Sequence, residues 1–597
     1  MTTAETPRLG MGATPHEGGT SFRVWAPHAD SVHVTGTFDD WAGENHLLTR
    51  SDQGYWSGTV KNAGIGDTYK YRIVNGEQVL WRVDPYVREV TNSVGEGVIT
   101  DLDFDWGGDD YRTPPWHEMV IYELHVGTFN AVDGELGTFD SAVERLGYLS
   151  ELGVNTILVM PFGEFAGDIS WGYNPAHPFA IESAYGGPAA LRRFIMACHE
   201  HDIAVLVDVV YNHFGPSDLG LWQFDGWSEN AMGGIYFYND WRANTPWGDS
   251  RPDYGRPEVR DYIRDHALMW LEDYHADGLR FDATSYIRNV RGGGNPGDDL
   301  PDGWGLLRWL NDEVNARQPW KPTIAEDLRN EWAITEDTSD GGAGFDSQWD
   351  AAFVHPIRAA LITPEDTHRD MHAVAGAIAH RYHNDIFERV IYTESHDEVA
   401  NGSARVPEEI WGGQADSLPS RKRSTLGAVI TFTSPGIPMI FQGQEFLTPG
   451  WFQDTRPLDW SRVESQSGIH QLYRDLFGLR ANRDGVTAGL KGQNLDIHHL
   501  NQDSKVLAYH RWDQGGAGDS CVILLNLSGV AHREYIIGFP IPGKWHVRLN
   551  TDWSGYGSDY DDVGGTEVVI AAEGDADGQR AVATVDIGGW SALLLSQ

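Results

Sequence analysis

The chain of 597 residues is too long for one hydrophobic core, and its composition, 41% hydrophobic and 22% charged, is typical of a folded multidomain protein. Its 44 Lys and Arg residues against 87 Asp and Glu residues give a net charge of −43, which disfavours nucleic acid and anionic membrane surfaces as partners. Cys198 and Cys521 lie in segments predicted as a helix and a distant strand, so neither a disulfide framework nor a cysteine metal site is expected.

The start of the chain carries no targeting pattern. Residues 1–19 have neither the basic start nor the apolar run of a signal peptide. No later stretch is apolar and long enough to span a membrane. These features predict a cytoplasmic protein with no membrane partner.

Three regions of different pattern follow one another along the chain. Residues 1–105 contain short strands separated by turns, which predicts an N-terminal β-sandwich. Residues 117–485 alternate short apolar strands with helical patterns, which predicts a (β/α)8 barrel. Residues 490–597 return to alternating strands, which predicts a C-terminal all-β domain. The predicted fold class is therefore α/β, with a TIM barrel between two β domains.

Eight strands are predicted for the barrel. The stretch 213–257, which follows the third of them, is rich in Trp, Tyr, Gly and Asn. Because a connection of this length inside a compact domain is usually functional, we expect it to overhang the mouth of the barrel. The predicted strands are 120–124, 156–160, 204–209, 278–282, 323–326, 345–349, 390–393 and 438–442.

Charged and polar residues converge on the C-terminal ends of these strands, where the active sites of such barrels lie. In the segment Gly278-Leu279-Arg280-Phe281-Asp282, side chains two apart point the same way, so Arg280 should lie beside Asp282 and keep it ionised. A structural ion pair explains this one pair equally well, but it does not explain the convergence of several strand ends. The strand-end residues are Asp208, His213, Arg280, Asp282, Glu326, His396 and Asp397.

Two of these carboxyl groups suit retaining glycoside hydrolysis, which needs an ionised nucleophile and a protonated general acid. Asp282, beside its arginine, suits the nucleophile. Glu326 follows an apolar strand and has acidic neighbours that raise its pKa, so it suits the general acid. The other strand-end groups would hydrogen-bond sugar hydroxyls, and the 24 Trp and 23 Tyr residues include candidates for stacking on sugar rings.

Four strand-end segments resemble the four signature regions of the α-amylase family of glycoside hydrolases, in the family's order. They are Asp208-Val209-Val210-Tyr211-Asn212-His213, Gly278-Leu279-Arg280-Phe281-Asp282-Ala283, Ala325-Glu326-Asp327 and Ser395-His396-Asp397-Glu398. The resemblance implies that Asp282 is the nucleophile, Glu326 the acid/base and Asp397 the transition-state stabiliser. It implies binding roles beside the cleaved bond for Arg280, His213, His396 and Asp208, and a sugar-stacking role for Tyr173 in the similar segment Trp171-Gly172-Tyr173-Asn174-Pro175.

The flanking segments are similar to one group within the family. Phe22-Arg23-Val24-Trp25-Ala26-Pro27 resembles the N-terminal starch-binding-like module of branching, debranching and trehalose-releasing enzymes. Ser395-His396-Asp397-Glu398-Val399 resembles the segment of glycogen branching enzymes. Branching enzymes usually follow the nucleophile with Ala-Val-Ala-Ser and the acid with Glu-Ser, whereas this chain has Ala283-Thr284-Ser285-Tyr286 and Asp327-Leu328-Arg329. These departures fall on the side where the acceptor binds.

The leading hypothesis is a retaining enzyme acting on α-1,4-glucan or maltooligosaccharides, a branching enzyme that needs no cofactor and no metal. The alternative is hydrolysis, in which water replaces the glucan acceptor. The enzyme would then be of the amylase type or a maltooligosyltrehalose trehalohydrolase. Two other classes of protein are considered, a glucan-binding scaffold without catalysis and a metal-dependent barrel hydrolase. The metal hydrolase would use His125, His213, His396, Asp282 and Asp397. The sequence predicts no particular oligomeric state.

Overall fold

The computed structural model describes residues 10–131 and 134–597. Residues 1–9 lie outside the described residues. They belong to the predicted N-terminal domain and to the segment 1–19 in which no signal peptide is predicted. Within the described part of the chain, no helix combines the length and the apolar character needed to cross a membrane. Strands and helices are numbered below along the chain.

The N-terminal region is a β-sandwich, as its alternating pattern predicts. One sheet has the order β1-β2-β6-β5, and the other has the order β4-β3-β7-β8 with β9 beside β7. Phe22 of the first sheet packs edge-on against Tyr69 of the second at a ring distance of 5.1 Å, so the two sheets share one core. The strands are β1 (Gly12–His16), β2 (Gly19–Trp25), β3 (Ser31–Gly36), β4 (His46–Leu47), β5 (Thr49–Arg50), β6 (Tyr55–Val60), β7 (Thr68–Asn75), β8 (Gln78–Arg82) and β9 (Gly97–Val98).

The central region is a closed barrel of eight parallel strands, which confirms the predicted fold class. The barrel order is β10-β11-β14-β15-β16-β17-β18-β19, and each predicted strand is present with its ends moved by at most two residues. An antiparallel hairpin, β12 and β13, follows the second barrel strand and was not predicted. The strands are β10 (Ile121–Leu124), β11 (Thr156–Val159), β12 (Gly163–Phe165), β13 (Pro175–Ile181), β14 (Ala204–Val209), β15 (Gly278–Phe281), β16 (Thr323–Ala325), β17 (Ser347–Trp349), β18 (Arg389–Ile391) and β19 (Ile437–Phe441).

Helices cover the outside of the barrel and bury their apolar faces on it. In α4, Leu191, Phe194 and Ile195 follow the helical repeat and are fully buried. Helix α5 continues into a π-helical turn, Met269–Asp273. The helices are α1 (Val126–Phe129), α2 (Phe139–Val143), α3 (Leu146–Leu152), α4 (Gly187–Glu200), α5 (Pro257–Leu268), α6 (Thr284–Arg288), α7 (Pro301–Arg317), α8 (Ala351–Ile362), α9 (Met371–Ala379), α10 (Val406–Ile410), α11 (Leu418–Thr433), α12 (Arg462–Ser465) and α13 (Ser467–Arg480).

The C-terminal region is a single antiparallel sheet system with the order β20-β21-β22-β27-β24-β25-β26-β23. Cys521 lies on β22 and Cys198 on α4, and both are buried free thiols, as their separation in sequence predicts. An acidic loop, residues 551–565, joins β24 to β25. The strands are β20 (Asn494–Asn501), β21 (Val506–Trp512), β22 (Cys521–Asn526), β23 (His532–Phe539), β24 (Gly543–Asn550), β25 (Val568–Ala576), β26 (Gln579–Ile587) and β27 (Ser591–Ser596).

The long connection between β14 and α5 contacts two different parts of the molecule. Its earlier part docks on the N-terminal domain, where Arg82 donates to the carbonyl oxygens of Gln223 and Phe224 at 2.8 and 2.9 Å. Its later part reaches the barrel mouth, where the Trp247 ring stacks on His213 at 4.7 Å. The connection therefore overhangs the mouth only in part, because its earlier part is hydrogen-bonded to the N-terminal domain.

Candidate active site

Arg280, on β15, is fully buried and contacts three carboxylates at once. Its Nη1 lies 2.7 Å from both carboxylate oxygens of Asp208 and donates to Asp282 Oδ1 at 2.9 Å. Its Nη2 lies 3.2 Å from Glu326 Oε2. The guanidinium plane also sits over the Trp349 ring, 4.3 Å from the ring centre. One rigid planar group therefore orients the side chains that end three adjacent strands.

The Asp282 carboxylate is held from a second side. Asn212 Nδ2 donates to Asp282 Oδ2 at 2.7 Å and to the Asp282 carbonyl oxygen at 2.9 Å. Only 8% of Asp282 is exposed. Both oxygens therefore accept hydrogen bonds, one from the Arg280 guanidinium and one from the Asn212 amide, and the carboxylate is fixed in position.

The backbone turns sharply at Ala283, directly after Asp282. Ala283 has φ +39°, a left-handed conformation that residues with a side chain seldom adopt. In this conformation its N–H donates to Glu326 Oε2 at 2.6 Å. Backbone strain of this kind is often found at functional sites. Here the strained turn connects Asp282 to Glu326 through the Ala283 N–H.

Glu326 ends β16 and has a perturbed pKa. Burial is the largest cause of the shift; the Arg280 guanidinium opposes it, the Asp282 and Asp397 carboxylates add to it, and the pKa of Glu326 is raised to about 8. Glu326 is therefore protonated at neutral pH. The sequence interpretation placed the cause in acidic neighbours, whereas burial at the strand end contributes more, and the adjacent acid Asp327 is turned away to an arginine.

His396 follows β18 and is paired with an acid from the first barrel strand. Its Nδ1 lies 2.6 Å from Glu123 Oε1, and Tyr173 stacks on its ring at 4.9 Å. Burial lowers the pKa of His396, but the Glu123 and Asp397 carboxylates outweigh it and raise the pKa to about 9. The ring is therefore an imidazolium at neutral pH, and its Nε2 faces Asp397 Oδ2 at 3.7 Å.

The remaining predicted residues complete a connected group. Tyr173 donates its O–H to Asp208 Oδ2 at 2.7 Å, so the aromatic ring is fixed between Asp208 and His396. Burial lowers the pKa of His213 to about 4, which makes its ring neutral, and it is hydrogen-bonded to Asn212. The structure thus brings all eight predicted site residues together at one end of the barrel.

Asp397 is the most accessible of the three acids that were predicted to be catalytic, which are Asp282, Glu326 and Asp397. Its side chain is 45% exposed, whereas those of Asp282 and Glu326 are about 10% exposed. Asn401 Nδ2 donates to Asp397 Oδ1 at 3.2 Å. The group lies at the rim of the site, with one oxygen facing His396.

Sequence reasoning missed several residues that shape this site. Asn212 precedes His213 in one of the four segments that resemble the family's signature regions, so its polar amide could have been predicted to contact the site. Glu123 is an acid within the apolar strand β10, and a buried charge of this kind needs a partner. Trp247 lies in the connection 213–257 that was expected to overhang the mouth, but nothing distinguished it from the other aromatic residues there. The Ala283 N–H had no sequence signal, because the chain path alone brings it to the site.

The two departures from the usual branching-enzyme pattern meet in the structure. Thr284 Oγ1 lies 3.1 Å from the Glu326 carbonyl oxygen and 3.2 Å from Asp327 Oδ2. Arg288 forms two hydrogen bonds of 2.8 Å to the Asp327 carboxylate. These residues are buried behind Glu326 and form one network, so the departures are coupled to each other.

The histidines of the metal-hydrolase hypothesis are each hydrogen-bonded to the protein. His125 contacts Thr128 Oγ1 and the Ser170 carbonyl oxygen, both at 2.9 Å. His213 contacts Asn212, and His396 contacts Glu123. In residues 10–131 and 134–597, no three or more His, Cys, Asp or Glu side chains are grouped so as to hold a metal ion.

Three family models match the chain in its domain order. Carbohydrate-binding module 48 (isoamylase N-terminal domain) matches residues 10–87, the α-amylase catalytic domain matches residues 121–219, and the α-amylase C-terminal all-β domain matches residues 497–597. The catalytic match covers the first three barrel strands, the hairpin and the segment that ends in His213.

Similar proteins extend over almost the whole chain. A 1,4-alpha-glucan branching enzyme GlgB of Mesorhizobium japonicum is 30% identical over 98% of this chain and 81% of its own length. The GlgB of Salinibacter ruber is 31% identical over 92% of this chain and 90% of its own length. Among solved structures, pullulanase type I of Bacillus subtilis complexed with maltose has a TM-score of 0.76 at 21% identity, covering 99% of this chain and 86% of that one. A putative alpha amylase of Salmonella typhimurium has a TM-score of 0.73 at 22% identity, covering 98% and 99%. These two structures share the fold, and the identity to the curated relatives decides the family: the chain belongs to the α-amylase family of glycoside hydrolases, within the group of the 1,4-α-glucan branching enzymes.

Proposed function

We propose that the chain is a 1,4-α-glucan branching enzyme that acts on α-glucan or maltooligosaccharides by retaining double displacement. The observation that carries the mechanism is the buried Arg280 guanidinium, which holds Asp282 and Glu326 at the ends of adjacent strands. The identity to branching enzymes over nearly the full chain supports the choice of reaction. We further propose three domains, residues 1–105, 117–485 and 490–597, with a glucan-related module first.

In the first step Asp282 attacks the anomeric carbon and Glu326 protonates the leaving glycosidic oxygen. Asp282 is positioned for this because Arg280 and Asn212 each donate a hydrogen bond to one of its carboxylate oxygens. Glu326 is ready because its raised pKa keeps a proton on it at neutral pH. Formation of the glycosyl-enzyme ester removes the negative charge of Asp282.

The loss of that charge prepares the second step. The Asp282 carboxylate is one of the groups that raise the pKa of Glu326, so its esterification lowers that pKa. Glu326, now deprotonated, accepts the proton of the incoming 6-hydroxyl of a glucan chain while that oxygen attacks the anomeric carbon. The Asp282 ester bond breaks, and configuration is retained.

The other site residues bind and polarise the sugar. We assign Asp397 as the transition-state stabiliser, because its exposed oxygens face the mouth of the site where an oxocarbenium-like sugar would lie. Tyr173 provides an aromatic face for the sugar ring. The substrate-binding group is Tyr173, Asp208, His213, Arg280 and His396.

The nucleophile is tested with a fluorinated sugar substrate that forms a long-lived glycosyl-enzyme. Mass spectrometry of the digested protein should find the label on the peptide that contains Asp282. A label on any other carboxylate would overturn the assignment. The crystal structure of the trapped enzyme should also place the Asp282 and Glu326 carboxyl groups about 5 to 5.5 Å apart, and a gap above about 6.5 Å would indicate inversion.

Branching and hydrolysis differ only in the acceptor. Thr284 and Asp327, at which this chain departs from the usual branching-enzyme pattern, are buried behind the acid/base Glu326. Amylose incubated with the protein should gain few reducing ends directly and many after treatment with a debranching enzyme. Reducing ends that accumulate before debranching would instead identify an α-glucan hydrolase of the amylase or trehalose-releasing type.

A further inference from the structure

The acidic loop of the C-terminal domain, residues 551–565, presents one tryptophan face to solvent. Trp553 is 47% exposed. Its indole lies against the backbone at Gly555, where an added Cβ would come within 2.5 Å of three ring carbons. Tyr556 meets the ring edge-on at 4.9 Å and 88°. One face of the indole is therefore covered by the loop itself, and the other face is left open.

The loop that carries Trp553 is built rigidly onto the barrel. Lys422 Nζ lies 2.6 Å from Asp552 Oδ1, and both side chains are almost completely buried. Arg421 pairs with Asp559 and also lies over the Tyr560 ring. A buried ion pair at the residue before Trp553 fixes the direction of the chain. The indole is therefore exposed on an ordered loop, since the loop contacts α11 at several points.

A groove of about 380 Å³ runs beside the indole. Its lining combines apolar and aromatic side chains with polar side chains that can donate and accept hydrogen bonds. An aromatic face beside such groups suits a sugar ring, which has apolar C–H faces and equatorial hydroxyls. The groove is lined by Arg548, Asn550, Trp553, Tyr556, Asp562 and Glu567.

The loop lies at the same end of the barrel as the strand-end carboxylates. Its anchors Arg421 and Lys422 are in the first two turns of α11, which follows β18. The Tyr556 backbone lies against Gly468 in the first turn of α13, which follows β19. In a (β/α)8 barrel the helices begin at the C-terminal ends of the strands, where the active site is.

We propose that Trp553 and its groove form a second binding site for an α-glucan chain, outside the catalytic site. The inference rests on the proposed function, because an α-glucan is the expected ligand of this surface only if the protein acts on α-glucans. Long chains bound there are retained near the catalytic end of the barrel. A neutral chain also avoids the repulsion that the net charge of −43 imposes on anionic ligands.

The test is native gel electrophoresis with amylose in the gel, on protein carrying Asp282→Asn so that the polysaccharide is not consumed. Adding Trp553→Ala should raise the apparent dissociation constant for amylose roughly tenfold, which corresponds to about 1.4 kcal/mol. Trp553→Phe should restore most of the retardation, because it keeps an aromatic face. Trp320→Ala is the matched control, since Trp320 is 37% exposed and precedes β16 at the opposite end of the barrel.

Mobility of Trp553→Ala equal to that of the Trp320→Ala control would overturn the proposal. So would a Trp553→Ala variant whose melting temperature falls, or whose activity on a short maltooligosaccharide is lost together with amylose binding, since Trp553 would then act structurally. Failure of the proposed function is seen separately, as unchanged amylose after incubation with the protein that carries Asp282 and Trp553.

Discussion

Arg280 Nη1 donates to Asp282 Oδ1 at 2.9 Å, because side chains two positions apart in an extended segment point the same way. The same guanidinium reaches Glu326 with its other terminal nitrogen at 3.2 Å. The fork-shaped group therefore sets the positions of both reacting carboxyl groups relative to each other.

Arg280→Lys should lower kcat on amylose by about 10²-fold, the cost expected when reacting groups are misplaced by about 1 Å. A lysine ammonium keeps the charge but cannot bridge two carboxylates with a planar fork. Steady-state rates on amylose measure the effect, and circular dichroism controls for folding. Retention of near-normal kcat by a folded Arg280→Lys protein would contradict the bridging role.

The rate of the first step should fall as pH rises above about 8, because Glu326 must be protonated to donate to the leaving oxygen and its pKa is raised to about 8. The profile of kcat/KM against pH measures this alkaline limb. Asp397→Asn should move the limb to lower pH, since the Asp397 carboxylate is one cause of the raised pKa. An alkaline limb in Asp397→Asn at the same or a higher pH would be inconsistent with this account.

Glu123→Gln should reduce kcat/KM by roughly 10- to 100-fold, the loss expected for about 1.5 to 3 kcal/mol from a charged hydrogen bond. Without the Glu123 carboxylate, the largest cause that raises the pKa of His396 is removed, so that pKa falls and the ring carries less charge at neutral pH. The His396 ring can be followed directly by NMR titration. An imidazole that still titrates near pH 9 in Glu123→Gln would rule out Glu123 as the cause.

Arg288→Met should lower the stability of the barrel by about 3–5 kcal/mol, because it leaves the buried Asp327 carboxylate without its cation. The double variant Arg288→Met with Asp327→Leu should recover much of that loss, since it removes both charges. Calorimetric melting of the single and double variants measures the difference. A double variant less stable than Arg288→Met would mean that the network contributes through contacts other than the ion pair.

The barrel and its reactive end were predictable from local patterns. A strand of four residues places alternate side chains on one face, so Arg280 and Asp282 had to be neighbours wherever the strand lay. The order of the strands then placed Glu326 at the end of the next strand and His396 after the third strand beyond that of Arg280. These inferences succeed because they depend on periodicity and on the rule that such barrels react at the C-terminal ends of their strands.

The sequence predicted a raised pKa for Glu326, but it revealed neither the main cause of that shift nor the charge of His396. Glu326 is protonated mainly because it is buried, and His396 is charged because Glu123, 273 residues earlier in the chain, lies 2.6 Å from it. The contact of Trp247 with His213 and the ties of the acidic loop to α11 also join distant parts of the sequence. Sequence by itself determined which chemical groups stand at the strand ends. Only the tertiary structure decided how far each group is buried, the charge of His396 and the outer neighbours of the site, because burial and long-range pairing are properties of the closed barrel and its packed domains.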